Sequence, residues 1–140
     1  MKMQKFALLA ATAGLLAACG GSNKIVEPSD LNNQKVFFAF DSSAISEEAR
    51  DNLLGQALYM KNHKDTKVQI AGNCDERGTT EYNLALGAQR ANAAKAVMVK
   101  DGVDGKRIST ISYGKERPMK LGSGEEVWKL NRNATTTVQK

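Results

Sequence analysis

The 140-residue chain has one histidine, two cysteines and two prolines, and only 6% of it is aromatic. A single histidine excludes a multi-histidine metal site. Two cysteines exclude a disulfide-dense scaffold, and two prolines exclude a collagen-like chain. With so few rings, the core must be built from Ala, Val, Leu and Ile. Charge of one sign is scarce as well: 20 Lys and Arg stand against 15 Asp and Glu, a net +5, and the two signs are interleaved. A nucleic-acid groove needs a clustered basic stripe, so nucleic acid is not an expected partner. No run of like charge is long enough for a polybasic membrane patch. Hydrophobic residues at 41% and charged residues at 25% lie close to globular averages, which sets wholesale disorder aside.

What is present begins with a leader. Lys2 and Lys5 precede an uncharged stretch from Phe6 to Ala18, shorter than the roughly 20 residues that span a bilayer. Residues 1–18 therefore read as a secretory signal peptide, with Ala18–Cys19 as the cleavage point. Leu16-Ala17-Ala18-Cys19 resembles a bacterial lipoprotein processing site. That resemblance implies a diacylglycerol on the Cys19 thiol and, after cleavage, an acyl chain such as palmitate on its amine. Two or three chains anchor stably where one is marginal. The alternative is an ordinary secreted chain with a free thiol near its start. Gly20, which is not acidic, implies by the same resemblance an outer-membrane destination, facing the periplasm. Without Lys2 and Lys5, 18 basic residues remain against 15 acidic, a net +3. No transmembrane helix is expected in the processed chain.

Residues 19–33 are polar and turn-rich and read as a lipidated start and flexible tether. Residues 34–140 read as one domain. Gln34–Phe40 is rich in β-formers and predicts a strand. Ser46 with Glu47 and Glu48 starts a helix whose inward face is Ala49, Leu53, Ala57 and Met60, widened by Leu54 and Leu58, fading near His63. Lys67–Gly72 alternates as a half-buried strand. A turn over Asn73–Thr79 leads to a long Ala-rich helix from Thr80 to about Lys100, with Leu84, Ala88, Ala91 and Met98 on one face. Lys106–Tyr113 is a third strand, Glu125–Leu130 a short helix carrying Trp128, and Ala134–Gln139 a fourth strand. The order βαβαβαβ predicts an α/β sandwich with helices packed on a four-stranded sheet.

Few enzyme constellations survive. His63 stands alone between lysines, and no nucleophilic triad can be placed. Asp75 and Glu76 are adjacent in a turn and diverge, unlike a glycosidase pair. No cofactor, metal site or catalytic residue is expected. The stronger signal runs from Val68 to Arg90. The turn sets Asp75 just before a helix N-terminus, and Tyr82, Leu86 and Arg90 follow four apart along one helix face. Asp75 can accept from an ammonium, Arg90 can grip a carboxylate, and Leu86 can wall the space between, so a zwitterion fits. Equally, Asp75 can pair with Arg77 or Arg90, or cap the helix. Cys74 alternates with Val68 and Ile70 and is expected to be a buried small hydrophobe; the alternative is an exposed thiol that makes disulfide dimers.

Phe40-Asp41, Gly72-Asn73-Cys74-Asp75-Glu76-Arg77-Gly78-Thr79, Glu81-Tyr82-Asn83-Leu84-Ala85-Leu86-Gly87, Arg90-Ala91, Ser112-Tyr113-Gly114-Lys115-Glu116-Arg117-Pro118 and Asn131-Arg132 together resemble the OmpA-like peptidoglycan-binding family. The likeness runs over about residues 34–134. It implies a mixed sheet with helices packed on it, and a non-enzymatic protein that binds the diaminopimelate of the peptidoglycan stem peptide. Carried over by position, Asp75 and Arg90 are the principal ligand-holding pair, Phe40 and Asp41 line the same pocket, and Leu86 is an apolar contact. It further implies TolB as a partner and a Tol-type role in holding outer membrane to wall during envelope constriction and division. The alternatives are a Tol-system interaction module without wall binding and a peptidoglycan hydrolase. Three positions depart from the family pattern: Asn133 where a second Arg follows Asn-Arg, Asn73 where His is frequent, and Cys74 where Thr is common.

Overall fold

The structure, a computed structural model, describes residues 24–140. The expected signal peptide (1–18), the Ala18–Cys19 cleavage point, the lipidation site Cys19 and Gly20 lie outside the described residues. The elements run β1 (Gln34–Phe37), α1 (Glu47–Asn62), β2 (Lys67–Asn73), α2 (Thr80–Lys100), a 3₁₀ turn (Gly105–Arg107), β3 (Ile108–Gly114), α3 (Glu125–Asn131) and β4 (Asn133–Gln139). Among the described residues no helix is long and apolar enough to cross a membrane.

The helix starts follow local chemistry. The Ser46 hydroxyl accepts from the Ala49 N–H at 3.1 Å, and Glu47 and Glu48 sit at the positive end of the dipole. Thr79 does the same for α2, accepting from the Tyr82 N–H at 3.0 Å. The last carbonyls of α1 need outside donors. Arg107 supplies them, donating to Met60 and His63 at 2.8 Å each and to Thr66 at 3.0 Å. The 3₁₀ turn that carries Arg107 occupies the start of the expected third strand, which begins at Ile108 instead.

The sheet order is β1-β4-β2-β3, with β2 parallel to β3 and the other pairs antiparallel. It is the mixed four-stranded sheet that the element order predicts. One face carries Val36, Val68, Ile70, Ile108 and Ala134 against Ala49, Leu53, Ala57 and Met60 of α1 and Ala91, Ala94 and Met98 of α2. A polar link crosses this core: Thr136 Oγ1 donates to the buried Gln56 side chain at 2.6 Å.

Two expectations shift. Leu84 is 39% exposed rather than inward, and the first turns of α2 bury Asn83, Leu86, Gly87 and Arg90 instead. The cause is a close approach. A Cβ on Gly72 would land on the Gly87 carbonyl oxygen, and one on Gly87 would meet Ser112 Oγ. Two glycines let α2 touch β2 backbone to backbone, and that contact sets the rotation of the helix. The segment before residue 34 is also more engaged than a tether. Leu31 is 1% exposed within the core, the Asn33 N–H donates to Thr136 at 2.7 Å, and Asn32 accepts from the Val138 N–H at 2.9 Å.

Gly72→Ala or Gly87→Ala is expected to cost at least about 2 kcal/mol: the Gly87 backbone blocks a methyl on Gly72, and a methyl on Gly87 still meets the Gly72 carbonyl oxygen at 2.9 Å if Ser112 turns away. Thermal melting reads it; a wild-type midpoint in both variants would contradict the backbone contact.

Candidate functional site

The site is built where β2 runs into α2. The β2–β3 register slips between Gly72 and Asn73, an irregularity at the last residue of β2, which stays paired with both neighbouring strands. The Cys74 N–H still donates to Gly114 at 2.8 Å. The turn is then tied down by Asn83, whose side-chain amide donates to the carbonyls of Arg77 (2.7 Å) and Thr79 (2.9 Å). The Cys74 thiol donates back to the Asn83 carbonyl at 3.3 Å. Cys74 is therefore buried, as strand alternation predicts, and burial pushes its thiol pKa up.

Asp75 is 4% exposed and fully engaged. Its Oδ1 accepts from the Arg77 N–H at 3.0 Å and Nε at 3.1 Å, and its Oδ2 accepts from Arg77 Nη2 at 2.8 Å. Arg132 Nη1 stands 3.5 Å from Oδ2. Burial alone would raise the Asp75 pKa; the Arg77 and Arg132 bonds outweigh it and hold the carboxyl below its usual range. Arg132 in turn pairs with Glu125 through both Nη atoms at 3.1 and 2.8 Å. The Arg77 guanidinium lies between the rings of Phe40 (4.0 Å) and Trp128 (3.9 Å). Trp128 is oriented by donating Nε1–H to Glu76 at 2.7 Å.

Arg90 is 1% exposed and forms no ion pair among the described residues. Its Nε donates to Ser42, its Nη1 to Asn73 and its Nη2 to Ala39, all to carbonyls, at 2.9, 2.9 and 3.0 Å. Burial lowers its pKa from the ordinary value. Each terminal nitrogen carries a second N–H, so some donor capacity is left beyond the carbonyls.

Asp75, Arg90, Phe40, Asp41 and Leu86 all line one cleft, together with Cys74, Arg77, Tyr82 and Asn83. All five expected ligand residues thus meet. Asp41 sits at φ 55°, a left-handed value that Asp tolerates better than most. The cleft is narrow, with about 20 Å³ free, roughly room for one water. Arg77 accounts for much of this closure. Its pairing with Asp75 was one of the alternatives the spacing left open. Trp128, Glu125 and Arg132 carry no local signal, since they reach the turn from some 50 residues away in the chain. Among the described residues no cluster of three His, Cys, Asp or Glu can hold a metal.

Asn73 does not face this cleft. Only its carbonyl serves Arg90; its side chain lies on the other side of the sheet, donating to Asn133 Oδ1 at 2.9 Å. Asn73 and Asn133 are therefore opposite one another across β2 and β4.

A family profile for the OmpA family matches residues 37–132. A peptidoglycan-associated lipoprotein of Mesorhizobium japonicum is 46% identical over 104 residues, covering 74% of this chain and 62% of its own length. One of Pasteurella multocida is 38% identical over 144 residues, covering 95% of this chain and 96% of its own. So the chain spans less than two thirds of the first relative and nearly all of the second. The crystal structure of the peptidoglycan-associated lipoprotein from Burkholderia pseudomallei superposes with a TM-score of 0.73 at 41% identity, covering 75% of this chain and 89% of that one.

Because the folded Asp75 pKa lies below the unfolded value, its stabilisation is complete above about pH 4 and is lost as pH falls through the folded value. Asp75→Asn should flatten the stability–pH curve in that acid window in urea melts; an unchanged slope would contradict the pairing. Arg90→Ala strands three carbonyls and should cost several kcal/mol, about 3 or more, in the same assay.

Proposed function

The chain belongs to the OmpA family, and from that premise we propose that it is a non-catalytic lipoprotein that binds peptidoglycan through the diaminopimelate of the stem peptide. The observation that carries this reading is the convergence of Asp75, Arg90, Phe40, Asp41 and Leu86 in one cleft. The free end of diaminopimelate is a zwitterion on an aliphatic arm. Its ammonium suits Asp75, its carboxylate suits the spare N–H groups of Arg90, and its methylenes suit Leu86. The relatives' name links them to peptidoglycan and to lipid attachment.

The cleft's geometry adds a requirement. Both oxygens of Asp75 are already taken by Arg77. A ligand ammonium must shift Arg77 from between Phe40 and Trp128 or share the carboxylate with it. Binding therefore exchanges one charge-assisted pair for another, and its net gain is smaller than either pair alone. Such an exchange suits a tether that must release and rebind.

The rest of the reading follows the resemblance. Residues 1–18 are a signal peptide, and Cys19 carries the acyl chains that hold the protein to the inner face of the outer membrane. Residues from about 24 to 140 hold the wall, and TolB is a partner in keeping the envelope joined during constriction. The wall polymer is held, not cut.

Co-sedimentation of residues 24–140 with purified sacculi tests it. Asp75→Asn should weaken retention by about thirtyfold or more, and no muropeptide should be released. Retention equal to wild type in a variant that melts normally would sink the assignment and favour a pure protein-interaction module. Arg90→Ala is a poor probe on its own, since its carbonyl bonds make it structural as well.

A further inference from the structure

The face of the sheet turned away from α1 and α2 holds a cavity of about 400 Å³, within the roughly 300–1,000 Å³ range of small-ligand pockets. Lys35, Gln69, Asn73, Tyr113, Arg117 and Thr135 are among its lining residues, and no Asp or Glu is. Neither Lys35 nor Arg117 forms an ion pair among the described residues. The Arg117 guanidinium carbon lies 3.8 Å from the centre of the Tyr113 ring.

Asn73 adds an independent sign. Its side chain is 8% exposed, and its Oδ1 is buried without a donor. The amide cannot simply turn over. Its Nδ2 donates to Asn133 Oδ1, while Asn133 is itself fixed by donating to Leu130 and accepting from Thr135. Flipping Asn73 would set oxygen against oxygen. Protein donors leave this acceptor unmet and it is closed to solvent, so a ligand donor reaches it only by moving aside the side chains that cover it.

We propose that this cavity is a second binding site, distinct from the Asp75 cleft, that takes a peptide-type ligand with carboxylates for Lys35 and Arg117 and an amide N–H for Asn73 Oδ1. The chemistry is that of an acidic peptide. The site lies across β2 from the cleft, so the two can be filled independently.

N-acetyl-L-glutamate carries both carboxylates and the amide N–H, and glutarate carries the carboxylates alone. Each is titrated, at fixed ionic strength, into the full ¹⁵N-labelled chain. The expected result is saturable shifts at the amides of Lys35, Ala71, Asn73, Tyr113 and Thr135, with glutarate at least about tenfold weaker. Lys35→Gln and Arg117→Gln, both surface changes, should each weaken binding about fivefold or more. Asp75→Asn should leave it unchanged, which separates this site from wall binding. Absence of saturable shifts on this face, equal binding of glutarate, shifts confined to the Asp75 cleft, or full binding by both charge variants would each overturn the proposal.

Discussion

The buried guanidinium of Arg90 is the constraint on which the rest of the site depends. It joins two separate stretches of backbone by donating to three carbonyls, those of Ala39, Ser42 and Asn73. The first two lie on the segment that follows β1 and carries Phe40 and Asp41; the third ends β2. The Ala39 and Ser42 carbonyls lie outside the strands and helices. A neutral side chain would leave them orphaned, and a lysine, with a point charge instead of a planar fork, could not reach all three. The arginine therefore sets where Phe40 and Asp41 stand relative to Asp75. A residue that looks from its spacing like a ligand clamp is first of all the piece that assembles the pocket.

The second constraint is how charge is stored beside it. Asp75 is buried and would be costly alone, so it is held by Arg77 and, more loosely, by Arg132. Arg132 is neutralised by Glu125, and Glu76 is taken up by Trp128 and Ser123. The acids and bases of the turn thus pair locally. Phe40 and Trp128 sandwich Arg77, which is partly open to solvent. This closes the cleft to about the size of a water molecule and keeps its carboxylate ionised.

Much of this was legible before any coordinates. The cap at Ser46, the alternation in β2 and the alanines of α2 are local signals, and local signals predict elements well. The five cleft residues were reached because Asp75, Leu86 and Arg90 sit on one turn and one helix face, and because Phe40-Asp41 belongs to a recurring family pattern. What escaped was set by contacts distant in the chain. The Gly72–Gly87 approach turns α2 so that Leu84 faces out, and nothing in an apolar-periodicity count encodes a backbone contact between two glycines. Leu31 looks like part of a polar linker because its neighbours are polar, yet it fills the core from outside the sheet. Trp128 and Arg132 reach the turn only through the fold.

The end of β2 also explains how two faces of one strand can evolve separately. At Asn73 the main chain looks toward Arg90 and the cleft, while the side chain looks toward Asn133 and the opposite cavity. A change of side chain at this position alters the far face and leaves the carbonyl in place. A change at Arg90 or Gly72 does the reverse, because it moves backbone. That asymmetry lets positions 73 and 133 hold a facing amide pair while the cleft keeps its backbone. A single hydrogen bond from Asn73 to Asn133 joins the two amides across the strands without touching the Asp75–Arg77 pair, so a change of side chain on the far face leaves the pocket's geometry in place.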